Sequence, residues 1–134
     1  MIGKKTESSL GLSAGINTFV GDSTILRGDF EVNGPLRIDG KFKGSIISTS
    51  MVYIGKKSIS ECVIFAKNVT IGGTIKGDIY AENSLTVLKT AEIIGNIYAT
   101  SVNMADGVIF DGKCQILAKD QIRELMDKMK KQIS

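Results

Sequence analysis

The chain has 134 residues, 43% of them apolar, and 17 basic against 14 acidic side chains for a formal net charge of +3. That length suits one domain, and the charge excess sits in the tails: residues 1–17 carry two Lys and one Glu, residues 118–134 carry five basic and three acidic groups, and the stretch between carries ten of each. A neutral body argues against nucleic acid as a partner, since such a surface needs a basic stripe. Histidine is absent, which removes the commonest general base and the commonest metal ligand.

Residues 1–15 are small and polar behind an apolar tip, and are expected to form a flexible N-terminal tail. Met1 and Ile2 followed by Lys4 and Lys5 form a candidate membrane-binding toe, with the apolar pair entering the interface and the lysines meeting anionic headgroups. The bland reading is a solvated tail.

Residues 16–35 read as a first, imperfect turn of a repeat, with Ile16, Phe19, Val20, Ile25, Phe30 and Val32, ending at Gly34-Pro35. From Leu36 the repeat is regular. Its units start at Leu36, Val52, Val69, Leu85 and Val102, a spacing of 16, 17, 16 and 17 residues. Apolar and polar residues alternate within each unit, which is the period of a strand. Glycines recur where short strands must end, at Gly40, Gly55 and Gly72 and at Gly44, Gly77, Gly95 and Gly112. A unit this short cannot bury its own apolar face, so successive units must stack. The pattern predicts an all-β fold, a triangular β-helix of about six turns spanning 16–117.

The frame points Leu36, Ile38, Phe42, Ile46, Val52, Ile54 and Ile59 inward, then Ile64, Val69, Ile71, Ile75, Ile79, Leu85 and Val87. Ile93, Ile97, Val102, Met104, Val108 and Ile116 complete the expected core. Cys62 and Cys114 are also expected inside, three units and about 14 Å apart, too far for a disulfide. Asn68 and Asn83 fall near a corner, where asparagine tolerates left-handed backbone. Ile47, Phe65, Tyr80 and Tyr98 form one outward column. Their plain role is cross-strand support; the alternative is a candidate partner face.

From Ala118 the period changes. Ile122, Leu125, Met126, Met129 and Ile133 recur at helical spacing, predicting a C-terminal amphipathic helix within 118–134. It either caps or flanks the solenoid, or docks a partner or a membrane.

Catalytic chemistry has little to stand on. Gly72-Gly73-Thr74 lacks the lysine of a phosphate loop, the carboxylates are scattered singly, and short-repeat acyltransferases require a histidine. No cofactor or metal is implied, and an enzyme, sugar-active or other, is the least supported reading. No signal peptide is visible and no apolar run approaches the ~20 residues that span a bilayer, so the expectation is a cytoplasmic protein. An uncapped solenoid end is a template for another copy, which predicts end-to-end self-assembly. The alternative is a non-polymerising β-solenoid binding module using the aromatic face.

The run Thr18-Phe19-Val20-Gly21, Gly28-Asp29-Phe30, Gly34-Pro35-Leu36-Arg37-Ile38-Asp39-Gly40 and Gly44, followed by Ile71-Gly72 and Ile75-Lys76-Gly77-Asp78-Ile79, resembles the bactofilins across about residues 16–117. The resemblance implies a right-handed β-helix that polymerises without nucleotide into non-polar filaments through like-to-like contacts of its ends. It implies a scaffold at the inner face of the cytoplasmic membrane, held by a short N-terminal segment, that organises cell-wall synthesis or hydrolysis enzymes and so cell shape. Met1-Ile2-Gly3-Lys4-Lys5 is similar to that segment, with Ile where an aromatic is common. The C-terminal helix departs from the disordered tail of many members. Candidate polymerisation contacts are Ile16, Phe19, Val20 and Ile25 at one end and Val108, Phe110, Ile116 and Leu117 at the other.

Overall fold

The structure, a computed structural model, describes residues 18–21 and 23–133. Thirteen strands and one helix follow in order. The strands are β1 (Thr18–Val20), β2 (Ile25–Val32), β3 (Leu36–Ile38), β4 (Lys41–Ser48), β5 (Met51–Ile54), β6 (Ile59–Ile71) and β7 (Thr74–Lys76). Then come β8 (Ile79–Val87), β9 (Glu92–Ile94), β10 (Ile97–Ala99), β11 (Val102–Met104), β12 (Ile109–Asp111), β13 (Cys114–Ile116) and the helix α1 (Lys119–Ile133).

Every strand pairing among the described residues is parallel, and the registers set the strands in three columns. On face A, Thr18, Leu36, Val52, Val69, Leu85 and Val102 lie side by side. These are the unit starts read from the sequence, with one earlier rung. Five full turns separate Thr18 from Val102, and β11, β12 and β13 supply the three strands of a last rung. The chain is a β-solenoid with a single short C-terminal helix. Face B carries the first halves of β2, β4 and β6, then β7, β9 and β12. Face C carries the second halves of β2 and β4, the middle of β6, the start of β8, then β10 and β13.

The core is a stack of like upon like. Ile46, Ile64, Ile79 and Ile97 occupy one column on face C, each fully buried. Ile38, Ile54, Ile71 and Val87 do the same on face A. Burying one such side chain contributes about 1.5–3 kcal/mol, so each added turn repeats that gain. On face B the column changes size: Phe42 lies beside Ser60, which lies beside Ile75. Phe42 also meets Phe30 edge-on at 5.4 Å, so the two rings fill the space a larger residue at 60 would need.

That packing corrects one expectation. Ile59 points outward and is 51% exposed, while Ser58 and Ser60 are buried. Isoleucine and serine alternate there, and the small slot beside Phe42 selects the serine phase. The two hydroxyl oxygens lie 3.1 Å apart and satisfy each other, which removes most of the cost of burying them.

Five of the six rungs turn the corner between faces B and C on a glycine, for a steric reason. Gly28, Gly44, Gly77, Gly95 and Gly112 all take φ between 139° and 153°. A Cβ on Gly44, Gly77, Gly95 or Gly112 would collide with the carbonyl oxygen of the rung before it. Cys62 stands in this column opposite Gly44 and is 4% exposed. Among the described residues only glycines take positive φ, so Asn68 and Asn83 do not serve as left-handed corners. Asn68 instead accepts the Ser84 hydroxyl at 2.9 Å. One residue on, polar side chains tie rung to rung: Asp78 accepts the Asn96 backbone N–H at 3.2 Å, and Asn96 accepts that of Lys113 at 3.3 Å.

The two cysteines differ from expectation. Cys114 lies in the face C column beside Ile97, not in that of Cys62, and it is exposed. It does point toward the axis, but no later rung covers it. Met104 and Ile116 are exposed on the last rung for the same reason, at 41% and 59%, and Val102 and Val108 are half-buried.

Candidate assembly surfaces

Three surfaces result: two rims and one side. At the C-terminal rim, among the described residues, β11 pairs only with β8, β12 only with β9 and β13 only with β10. Each leaves one edge of backbone N–H and C=O groups without a strand partner, the feature that templates further pairing. Apolar surface lies along the same rim: Met104, Ile109 and Ile116 are exposed, and Val108 and Phe110 half-buried. At the N-terminal rim, among the described residues, β1 pairs only with β3 and β2 only with β4.

The rims are not equivalent. Val20, Phe30 and Val32 are only 4–5% exposed, so the first rung is closed at its centre. Ile25, 65% exposed, is the apolar side chain that stands out at this end. Of the candidate contacts at this end, Ile16 lies outside the described residues, the Phe19 backbone pairs with that of Arg37, and Val20 belongs to the core. At the other end Val108, Phe110 and Ile116 stay together on the rim. Leu117 does not; it packs into the cluster beneath α1. Met104 and Cys114 join the rim, which the repeat frame could have found by asking which inward positions have no next unit.

The side surface is the outward column of face C. Ile47, Phe65, Tyr80 and Tyr98 are in register. The three rings stack nearly parallel, at 4.8 Å between Phe65 and Tyr80 and 4.8 Å between Tyr80 and Tyr98. Phe65 is 0% and Tyr80 2% exposed, so the column is no open partner face. α1 lies across it, with Ile122 and Met126 buried against the rings and Leu125 and Met129 packed alongside. The helix thus flanks the solenoid and caps neither rim. Gln121 Oε1 accepts the Ala118 N–H at 3.0 Å, half of a capping box. Asp120 in the first turn and Lys130 and Lys131 in the last suit the helix dipole. Burial lifts the Tyr80 hydroxyl to about 12, with Asp78 and Tyr98 adding to the effect. Burial likewise pushes the Cys62 thiol to about 12.

The membrane toe, Met1, Ile2, Lys4 and Lys5, lies outside the described residues. Among the described residues no helix is long and apolar enough to cross a membrane.

Comparison with known proteins adds to this geometry. Bactofilin BacO of Myxococcus xanthus (strain DK1622) is 29% identical over 105 residues, covering 78% of this chain and 83% of the relative. Bactofilin BacP of the same organism is 25% identical over 109 residues, covering 81% of this chain but 45% of the relative. No solved structure gives a significant match. The family model of the bactofilins, described as polymer-forming cytoskeletal, matches residues 18–115, the parallel solenoid from its first described strand to its last. The chain belongs to the bactofilin family of polymer-forming cytoskeletal proteins.

Proposed function

We propose that this protein is a cytoskeletal scaffold whose copies stack end to end into non-polar filaments without nucleotide. The observation that carries the reading is the pair of rims: among the described residues the strands of the first and last rungs pair on one side only, and α1 lies on a flank. Stacking a second copy on the C-terminal rim continues both the hydrogen-bond ladder and the apolar columns. Like-to-like stacking is self-complementary under a two-fold axis and yields a filament without polarity. The rim contacts are Val108, Phe110 and Ile116, with Met104 and Cys114, at one end and Ile25 with its neighbours at the other. No step in such assembly calls for hydrolysis or a cofactor.

Location and partners form part of the same reading. Residues 1–15 act as a tail, residues 16–117 as the polymerisation domain and residues 118–134 as the flanking helix. The toe at Met1, Ile2, Lys4 and Lys5 holds the filament at the inner face of the cytoplasmic membrane. Each toe binds weakly, and many on one filament bind by avidity. There the filament organises cell-wall synthesis or hydrolysis enzymes.

The rim is tested by Ile116→Arg and Phe110→Arg, read by high-speed sedimentation and circular dichroism. The expected result is loss of pelletable polymer with an unchanged β-sheet spectrum. Ile116 is the cleaner site, because its side chain is already 59% exposed. Pelleting at the wild-type level in a folded Ile116→Arg variant would remove the C-terminal rim from the mechanism. For the toe, deleting residues 1–5 should abolish co-sedimentation with anionic liposomes and leave assembly intact; equal liposome binding would dismiss it.

A further inference from the structure

Face B carries a charge gradient, and α1 lies on face C and leaves it open. Two outward positions recur on every rung. The first two rungs present Ile25 with Arg27 and Lys41 with Lys43. The last two present Glu92 with Ile94 and Ile109 with Asp111. Between them lie Ile59 with Glu61 and Thr74 with Lys76. The face is therefore basic toward the N-terminal rim and acidic toward the C-terminal rim. Ile25, Ile59, Ile94 and Ile109 stand exposed on it at 65%, 51%, 37% and 59%. A shallow groove of about 210 Å³ runs among Ile25, Phe42 and Ile59.

We propose that face B is a lateral interface on which a second copy of this chain lies antiparallel. A two-fold axis along the strand direction reverses the order of the rungs and keeps the position along each strand. The first rung then faces the second copy's last rung, so Ile25 meets Ile109 and Arg27 meets Asp111. The second faces the fifth, where Lys41 meets Glu92 and the Lys43 stem lies along Ile94. The third faces the fourth, where Glu61 meets Lys76. Ile25 meets Ile109 and three charged positions meet opposite charges, while Ile59 lies against Thr74 and Lys43 against Ile94, and the two-fold makes every contact twice. The parallel alternative, with the two-fold along the solenoid axis, sets Lys41 against Lys43 and is repulsive. The Lys43–Glu61 pair within one chain, 3.6 Å long with both side chains more than half exposed, holds these groups only weakly and leaves them able to turn to a neighbour.

Six rungs at ~4.8 Å give a face only about 24 Å long, smaller than the ~800 Å² per partner of a stable free dimer. The contact is therefore weak singly and gains by repetition along aligned filaments. It rests on the proposed filament for its strength but not for its geometry. In a filament whose copies alternate in direction, the same antiparallel match recurs at every step.

Zero-length carbodiimide cross-linking with peptide mapping tests the geometry. Lys41 and Glu92 lie three rungs apart in one chain, about 14 Å, beyond a direct amide bond, so a Lys41–Glu92 cross-link must join two copies. Its presence in sedimented polymer is expected; its absence from that polymer overturns the proposal. A cross-link in a protein that forms no filaments would sink the end-to-end reading and leave the lateral one standing. Charge exchange adds a second measurement. Lys41→Glu and Glu92→Lys should each reduce the bundles collected by low-speed centrifugation several-fold, and the double exchange should restore them. A folded double variant that stays unbundled overturns the proposal.

Discussion

Arg123 Nε donates to Glu82 Oε2 at 2.7 Å, tying the first turn of α1 to β8 across 41 residues of sequence. Glu82 is 13% and Arg123 60% exposed, so the carboxylate is a fixed post and the arginine a clip reaching it from solvent. Next to it Ile122 is fully buried on the aromatic stack. The clip sets orientation and the apolar contact supplies the docking energy. Ile122→Ala should therefore weaken docking by about 2–5 kcal/mol and raise acrylamide quenching of tyrosine fluorescence. Arg123→Ala should have a smaller effect. Equal, negligible effects of both would mean that α1 does not rest on the stack in solution.

The glycine corner predicts a graded series. Gly95→Ala meets both a positive φ of 145° and the Gly77 carbonyl, and should cost at least about 2 kcal/mol. Gly107→Ala meets only its φ of 95°, with the nearest atom 3.8 Å away, and should cost about 1 kcal/mol. Thermal denaturation of the two variants checks the order; a reversed order would contradict the assigned contacts.

The thiols report on the rim. A maleimide should label Cys114 and leave buried Cys62 untouched in the folded protein, since the reactive thiolate is disfavoured by burial. Both should react in denaturant. If copies join through the C-terminal rim, assembly should slow Cys114 labelling many-fold. Unchanged labelling in sedimented polymer would place the junction elsewhere.

Alkaline pH should loosen the aromatic stack. Tyr80 is held neutral, its hydroxyl raised from an ordinary 10 to about 12, so the folded state resists its ionisation. The stability linked to this group is fully present below pH 10, and falls as pH rises from 10 toward 12. Tyr80→Phe should lack that part of the loss when the two proteins are compared by denaturant titration. Identical alkaline profiles would argue that the hydroxyl is not shielded.

The fold was legible because the core is a register of like residues. Leu36, Val52, Val69, Leu85 and Val102 recur at one spacing, and the ladder pairs these same residues. What the alternation could not tell was phase and context. Ser58-Ile59-Ser60 alternates equally well either way, and only the bulk of Phe42 and Phe30 selects the serines. Direction also differs from burial, as Met104, Cys114 and Ile116 point toward the axis with no rung above them. The aromatic column and the helical stripe were each visible, but their meeting was not. Tyr80 and Ile122 are distant in sequence, and nothing local to either announces the contact. The rims followed from counting which strands lack a second neighbour, which needs the complete register.

Negative-stain electron microscopy of the purified protein without nucleotide, beside Ile116→Arg, asks whether the rims join copies into filaments. Long filaments are expected for the wild-type protein and only short, unjoined particles for the folded variant. Wild-type protein that remains as particles of one solenoid's size across concentrations would contradict end-to-end assembly.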